Sequence, residues 1–195
     1  MAAAAAGAGA AADGGDGGFK WPWHYSFPPF FTLQPNAETR QKQVAAWGDL
    51  ICAFCAHRNT EVLVVAEAAS TLPLFNNAAI NRSLSHADIV CVIDEMKEVK
   101  PNHCEWLDEG KERCLVMWRT PQEWAEIVRK WVDESGLSGN VLTLYEIREG
   151  DAVDSARFKG IGHYTLRRAL QVLEGQGCAT LMHGDDPDSE GVKFL

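Results

Sequence analysis

The chain has 195 residues, of which 46% are hydrophobic and 23% are charged, and its formal net charge at pH 7 is -9. That hydrophobic fraction is close to the globular norm, which excludes wholesale disorder, and no run approaches the roughly 18 apolar residues needed to cross a bilayer. The 27 acidic side chains outnumber the 18 basic ones, and this excess argues against binding nucleic acid or an anionic membrane through bulk charge.

The N-terminal part of the chain divides into two segments of different composition. Residues 1–18 are mostly Ala and Gly, without the basic start and apolar stretch of a secretory signal, and we predict a disordered tail. Residues 19–35 read FKWPWHYSFPPFFTLQP, where the prolines forbid a helix and the aromatic side chains disfavour free solvation. We therefore predict an extended arm that docks on another surface.

The centre of this arm is predicted to carry its binding chemistry. Pro28-Pro29 favours a polyproline backbone, which presents neighbouring aromatic side chains to a groove at low entropic cost. Those side chains are Phe27, Phe30 and Phe31. Composition also allows the alternative that the arm closes over its own first domain, because its tryptophans supply enough apolar surface for such packing.

A unit of three helices closed by a β-hairpin is predicted over residues 36–119. Ser85 followed by Asp88 is a variant of the capping box, with Asp in place of the usual Glu or Gln. The predicted elements are, in order, a helix from the N-cap Asn36 to residues 57–59, a strand at 62–65, a helical turn, a turn region at 72–77, a helix after Ser85, and a hairpin at 104–107 and 115–118.

Residues 120–195 repeat this order. Thr120-Pro121-Gln122-Glu123 combines an N-cap, a proline at the first helical position and a capping-box Glu. The predicted elements are a helix that stops at Ser135-Gly136, a strand at 142–147 that runs into a polar helical stretch, a helix at 164–174, and a hairpin at 179–182 and 192–195 around the loop GDDPDSEG. The fold prediction is α+β and mainly helical, with two tandem winged-helix domains preceded by the extended Pro/aromatic arm.

No catalytic residue, metal site or cofactor is predicted. Cys52 and Cys55 form a CxxC motif, but the second pair of a structural zinc site is missing, so we interpret both as small apolar residues of a helix. The six cysteines match no secreted framework and indicate a reduced, cytoplasmic protein. The acidic wing loop lacks the closing Glu of a calcium loop, which favours a solvated wing tip.

A winged-helix DNA-binding transcription regulator is the alternative function. Many winged helices place their third helix in the major groove. In the first unit that helix is acidic, and in the second Arg167 and Arg168 lie beside a strongly acidic wing that would repel phosphates. The composition therefore favours a protein-interaction scaffold, with no direct nucleic-acid partner.

Several segments resemble the vacuolar protein sorting-associated protein 25 family, the small subunit of the endosomal sorting complex ESCRT-II. They are WPWHYSFPPFFTLQPNAETRQKQVAAW, LPLFNNAAINRSL, CEWLDE, VMWRTPQEW, LTLYEI and GVKFL. The resemblance covers residues 21–195 and implies a non-enzymatic adaptor for sorting ubiquitinated membrane cargo into multivesicular endosomes. The implied location is the cytoplasm, with recruitment to the endosomal membrane only through partners.

The resemblance also implies the partners and the residues that bind them. Two copies attach to a core of two larger ESCRT-II subunits, each inserting Pro28, Pro29, Phe30 and Phe31 into a hydrophobic groove, while Arg82 makes a salt bridge to the core. The first domain, residues 36–119, docks on the core. The second, residues 120–195, recruits the first-acting ESCRT-III subunit through residues that no motif identifies. The sequence leaves open whether the free subunit forms a homodimer.

Overall fold

The computed structural model describes residues 18–153, 156–184 and 189–195. Apart from Gly18, the predicted Ala/Gly tail lies outside these ranges, and so do residues 185–188 of the wing loop. Two winged-helix units follow one another along the described chain, each with helices and a small antiparallel sheet, so the predicted α+β class is confirmed.

The first unit follows the predicted order, in which the helical turn is a helix of 7 residues, and adds a ribbon of two strands with 2 residues each. Its elements are α1 (Ala37–Arg58), β1 (Val62–Val64), α2 (Val65–Thr71), β2 (Asn76–Asn77), β3 (Arg82–Ser83), α3 (His86–Val99), β4 (Cys104–Trp106) and β5 (Arg113–Val116). The hairpin β4-β5 pairs with the strand before α2, giving the antiparallel order β1-β5-β4 with Leu63 opposite Cys114.

The second unit repeats this plan without the ribbon. Its elements are α4 (Pro121–Glu134), β6 (Val141–Thr143), α5 (Leu144–Glu149), α6 (His163–Gly175), β7 (Ala179–Met182) and β8 (Gly191–Phe194). The sheet order β6-β8-β7 places Leu142 opposite Val192. Among the described residues, no helix combines the length and hydropathy that a transmembrane span requires.

The helix starts predicted from capping residues are confirmed. Asn36 accepts the backbone N–H of Thr39 at 3.0 Å, and reciprocal capping boxes begin α3 and α4 at Ser85 and Thr120. Each such cap satisfies backbone donors that the first turn of a helix leaves without partners. The local signals therefore act in the fold as the sequence indicated.

The predicted strand at 142–147 is wrong after Thr143. β6 ends at Thr143, whose hydroxyl accepts the N–H of Glu146 at 3.1 Å, while the Glu146 carboxylate accepts the N–H of Thr143 at 2.7 Å. This capping box starts α5 within the apolar run that resembled a strand. In the first unit the strand predicted at 62–65 likewise ends one residue early, at Val64, because α2 begins at Val65.

Two hydrophobic cores hold the units together. The largest fully buried side chains of the first are Trp47, Phe54 and Phe75, and the second is built around Phe158 and Leu144. Helix α1 packs on α3 in the first unit, and α4 packs on α6 in the second. The half-buried Trp118 packs against both cores, so the units meet at this ring.

Candidate docking surface

The Pro/aromatic arm is folded, and the predicted extended polyproline backbone is wrong. It forms two 3-10 turns, Trp23–Ser26 and Pro28–Phe31, joined at Phe27 in the β region. The N–H of Phe30 donates to the carbonyl of Phe27 at 2.9 Å, and that of Thr32 donates to Pro29 at 3.2 Å. Both prolines tolerate this because the first residues of a helical turn need no N–H donor.

The reason for the turn lies in the first core. The Phe30 ring stacks on Trp47 with a centroid distance of 4.3 Å and an interplanar angle of 11°, and Phe31 meets the same indole edge-on at 5.4 Å. Phe30 and Phe31 are therefore 6% and 4% exposed. A polyproline segment would have kept these two rings apart from the indole, and the apolar burial gained by the turn is large.

Gln43 of α1 binds the backbone of the arm. Its side-chain amide donates to the carbonyls of Phe30 at 2.8 Å and Thr32 at 2.9 Å, and its Oε1 accepts the N–H of Gln34 at 3.1 Å. The Trp47 indole N–H adds a bond to the Phe30 carbonyl at 3.1 Å. Because a buried carbonyl without a partner is costly, this set of bonds specifies the folded arm over a detached one.

The first turn of the arm is tied to the ribbon that carries Arg82. The Tyr25 hydroxyl donates to the Pro73 carbonyl, and Asn77 donates to the Tyr25 carbonyl at 2.7 Å. Asn77 of β2 lies opposite Arg82 of β3 in the ribbon. The arm and Arg82 thus belong to one continuous surface of the first unit.

Two aromatic side chains of the arm remain outside the core. Trp23 is 78% exposed and Phe27 is 50% exposed, and their ring centroids lie 6.2 Å apart. They border a groove of about 410 Å³ between the arm and α1, whose wall includes Pro29 and the stem of Lys42. Phe27 was among the predicted binding residues and Trp23 was not, although the position of Trp23 between the aromatic residues Trp21 and Tyr25 was a usable signal.

His24 lines the same groove and is held neutral. Its ring lies 4.6 Å from the Phe30 ring, and its Nε2 is buried without a hydrogen-bond partner among the described residues. Burial lowers the pKa of His24, an effect that the carboxylate of Asp49 partly opposes. The His24 imidazole therefore adds no positive charge to the groove at neutral pH, whereas the Lys42 ammonium at its wall pairs with Glu38 at 2.6 Å.

Arg82 adds an exposed positive charge to this surface. It is exposed on β3, where its guanidinium donates to the Asn81 carbonyl at 2.9 Å and forms no ion pair with any described carboxylate. β3 lies against the Pro28–Phe31 turn. The structure therefore brings Arg82 together with exposed Phe27, Pro28 and Pro29, and places Phe30 and Phe31 beneath them.

Within the part of the chain that the structure describes, the CxxC motif and the two arginines considered for DNA binding do not form a metal or nucleic-acid site. Cys52 and Cys55 are buried in α1, and desolvation raises the pKa of the Cys52 thiol to about 12, which disfavours the thiolate that binds zinc. Arg167 pairs with Glu190 at 3.1 Å, and Arg168 donates to Glu105 at 2.9 Å. The two arginines considered for a DNA groove are thus already bound to carboxylates.

Comparison with known proteins identifies the family. A family model described as ESCRT-II complex subunit matches residues 24–162. Vacuolar protein-sorting-associated protein 25 of Danio rerio is 47% identical over 177 residues, covering 91% of this chain and 99% of that protein. The Homo sapiens protein of the same name is 44% identical over 177 residues, with 91% and 98% covered.

Solved structures agree with this result. The crystal structure of subunit VPS25 of the endosomal trafficking complex ESCRT-II superposes with a TM-score of 0.77 at 28% identity, covering 89% of this chain and 98% of that one. In the crystal structure of the endosomal complex ESCRT-II (VPS22/VPS25/VPS36), the matching chain gives a TM-score of 0.73 at 29% identity over the same shares. The chain therefore belongs to the vacuolar protein-sorting-associated protein 25 family of ESCRT-II complex subunits.

Proposed function

We propose that this chain is a non-enzymatic adaptor of ESCRT-II that docks on the two larger subunits through its arm and first domain. A structure of the relative VPS25 contains VPS22 and VPS36, which are the partners we assign here. The observation that carries the proposal is the exposed pair Trp23 and Phe27 beside an apolar groove, with Arg82 on the same surface. Aromatic and arginine side chains of this kind are the usual anchors of protein interfaces.

The anchoring roles within the arm divide by burial. Trp23, Phe27, Pro28 and Pro29 are exposed, so their side chains can insert into a groove of a partner subunit. Phe30 and Phe31, which the family resemblance assigned to the partner's groove, are buried in this conformation, so their contribution is to fix the shape of the turn. A partner that also takes up these two rings must first open the arm and expose Trp47.

The two units divide the adaptor's work. The first, residues 36–119, docks on the core and contributes Arg82 as a salt-bridge partner for a core carboxylate. The second, residues 120–195, recruits the first-acting ESCRT-III subunit. Two copies on one core would bring two such recruiting domains to an endosomal membrane, which raises the effective concentration of ESCRT-III without any new contact. The chain is recruited from the cytoplasm to that membrane through its partners. At the membrane it takes part in the sorting of ubiquitinated cargo.

The docking surface is tested by removing its exposed aromatic pair. The double variant Trp23→Ala/Phe27→Ala is mixed with the purified pair of larger subunits, and binding is measured by calorimetry. Truncating interface hot spots costs about 2 kcal/mol or more, so affinity should fall at least roughly 30-fold. Tyr145→Ala is the matched control, because it removes an aromatic side chain that is 54% exposed in the second domain.

The outcome distinguishes this surface from other modes of assembly. Wild-type affinity in the double variant, together with an unchanged circular dichroism spectrum, would show that the arm does not dock through these side chains. Arg82→Ala should weaken binding and reduce its dependence on salt, since a rim charge acts mainly through long-range attraction. Light scattering of the assembled complex measures the proposed two copies, and the same measurement on the free chain decides whether it dimerises.

A further inference from the structure

The N-terminus of α6 is capped from the other domain. Gly162 occupies the N-cap position and has no side chain to accept the N–H groups of the first turn. The carboxylate of Glu61 takes that place: it accepts the N–H of Tyr164 at 3.2 Å and that of Thr165 at 3.0 Å. A carboxylate here also interacts favourably with the positive end of the helix dipole. The second domain therefore borrows a helix cap from the first.

Gly162 is required for this arrangement. A Cβ atom at this position would overlap the carboxyl group of Glu61, so any other residue would displace the borrowed cap. Glu61 is itself held in place by the first sheet, because its carbonyl accepts the N–H of Val116 at 2.7 Å. The cap thus connects a fixed point of the first domain to a helix of the second.

A second carboxylate of the first domain holds the same helix one turn further along. Arg168 of α6 donates through Nε to both oxygens of Glu105 on β4, at 2.9 and 3.1 Å, and through Nη2 to the same carboxylate. This forked geometry restricts orientation as well as distance. Asn59 adds a hydrogen bond from its side-chain amide to the Gly160 carbonyl at 3.3 Å, just before α6.

We propose that Glu61 and Glu105 are positioning residues of an interdomain latch that fixes α6, and with it the second domain, relative to the arm-bearing first domain. Two carboxylates at separate points on one helix resist rotation about the Trp118 junction, which a single contact would permit. The latch is a property of the free chain and does not depend on the proposed partners. It would hold the docking surface and the second domain at one mutual orientation before assembly.

The latch is tested by nuclear magnetic resonance of the full-length free chain. Residual dipolar couplings from both domains should fit a single alignment tensor in the wild type. The double variant Glu61→Ala/Glu105→Ala should require two tensors of different magnitude, because the domains reorient separately. Glu98→Ala/Glu109→Ala is the matched control: it removes the same charge from exposed positions of the first domain and should keep one tensor.

A second variant separates helix capping from domain coupling. Gly162→Asp gives α6 an N-cap of its own and displaces Glu61, so amide protons 164 and 165 should stay protected from exchange while the agreement with a single tensor worsens. Gly162→Asp also tests the latch if the double variant Glu61→Ala/Glu105→Ala fails to fold. The proposal is overturned if the wild type already needs two tensors. It is equally overturned if either latch variant keeps the wild-type alignment of both domains.

Discussion

Replacing Phe30 with Ala tests whether the arm is part of the first core in solution. The substitution removes a ring that is 6% exposed and stacked on Trp47. Phe→Ala substitutions in cores cost about 3–5 kcal/mol, the larger values arising where the cavity cannot relax. Because the groove beside Phe30 opens to solvent and the arm can shift, we expect the lower end of that range, about 3 kcal/mol.

Urea unfolding followed by circular dichroism and tryptophan fluorescence measures this loss. With a denaturant slope of about 2 kcal/mol/M, a loss of about 3 kcal/mol lowers the midpoint of the first-domain transition by about 1.5 M. Phe27→Ala is the control within the same arm, because a ring that is 50% exposed should cost less than about 1 kcal/mol. Equal midpoints for the two variants would refute the packed arm, and would favour an arm that leaves Trp47 uncovered.

Two further perturbations probe the same surface. Gln43→Leu keeps the approximate side-chain volume but leaves the carbonyls of Phe30 and Thr32 without this donor, which should cost about 1–3 kcal/mol. An unchanged urea midpoint would contradict the role of the Gln43 amide in holding the arm. Burial gives His24 a folded-state pKa below its ordinary 6.5. Its neutral ring therefore contributes fully to the free energy of unfolding above pH 6.5, and this contribution is lost as the pH falls through the lowered pKa. The urea midpoint of the wild type should therefore fall more between pH 7.5 and pH 5.5 than that of His24→Asn.

Local signals in the sequence account for most of the regular structure. Capping residues such as Asn36, Ser85 and Thr120 bind backbone groups only three positions away, so their effect can be predicted from the sequence without knowledge of the tertiary structure. Thr143 and Glu146 carry the same capping-box signal for α5. The apolar residues around them resemble a strand, so the start of α5 was predicted too late in the chain. The ribbon β2-β3 was not predicted, because two residues per strand carry no periodicity.

The candidate site was less predictable because tertiary contacts decide its shape. The composition of the arm indicated binding, and the family resemblance pointed to Arg82, but the fold of the arm depends on Gln43 and Trp47, 13 and 17 residues beyond Phe30. Local preference for polyproline is weak compared with the burial of two aromatic rings. No spacing rule in the sequence could have shown that Glu61 caps a helix about 100 residues later.

The stacking of Phe30 on Trp47 makes the candidate docking surface depend on a completely folded first core. The second turn of the arm packs on Trp47 and Gln43 of α1, so a subunit in which α1 is misfolded would lack the groove that Trp23 and Phe27 border. If the proposed docking holds, binding through this groove would act as a checkpoint at assembly, because a subunit with a damaged first core would not present the surface that the complex requires.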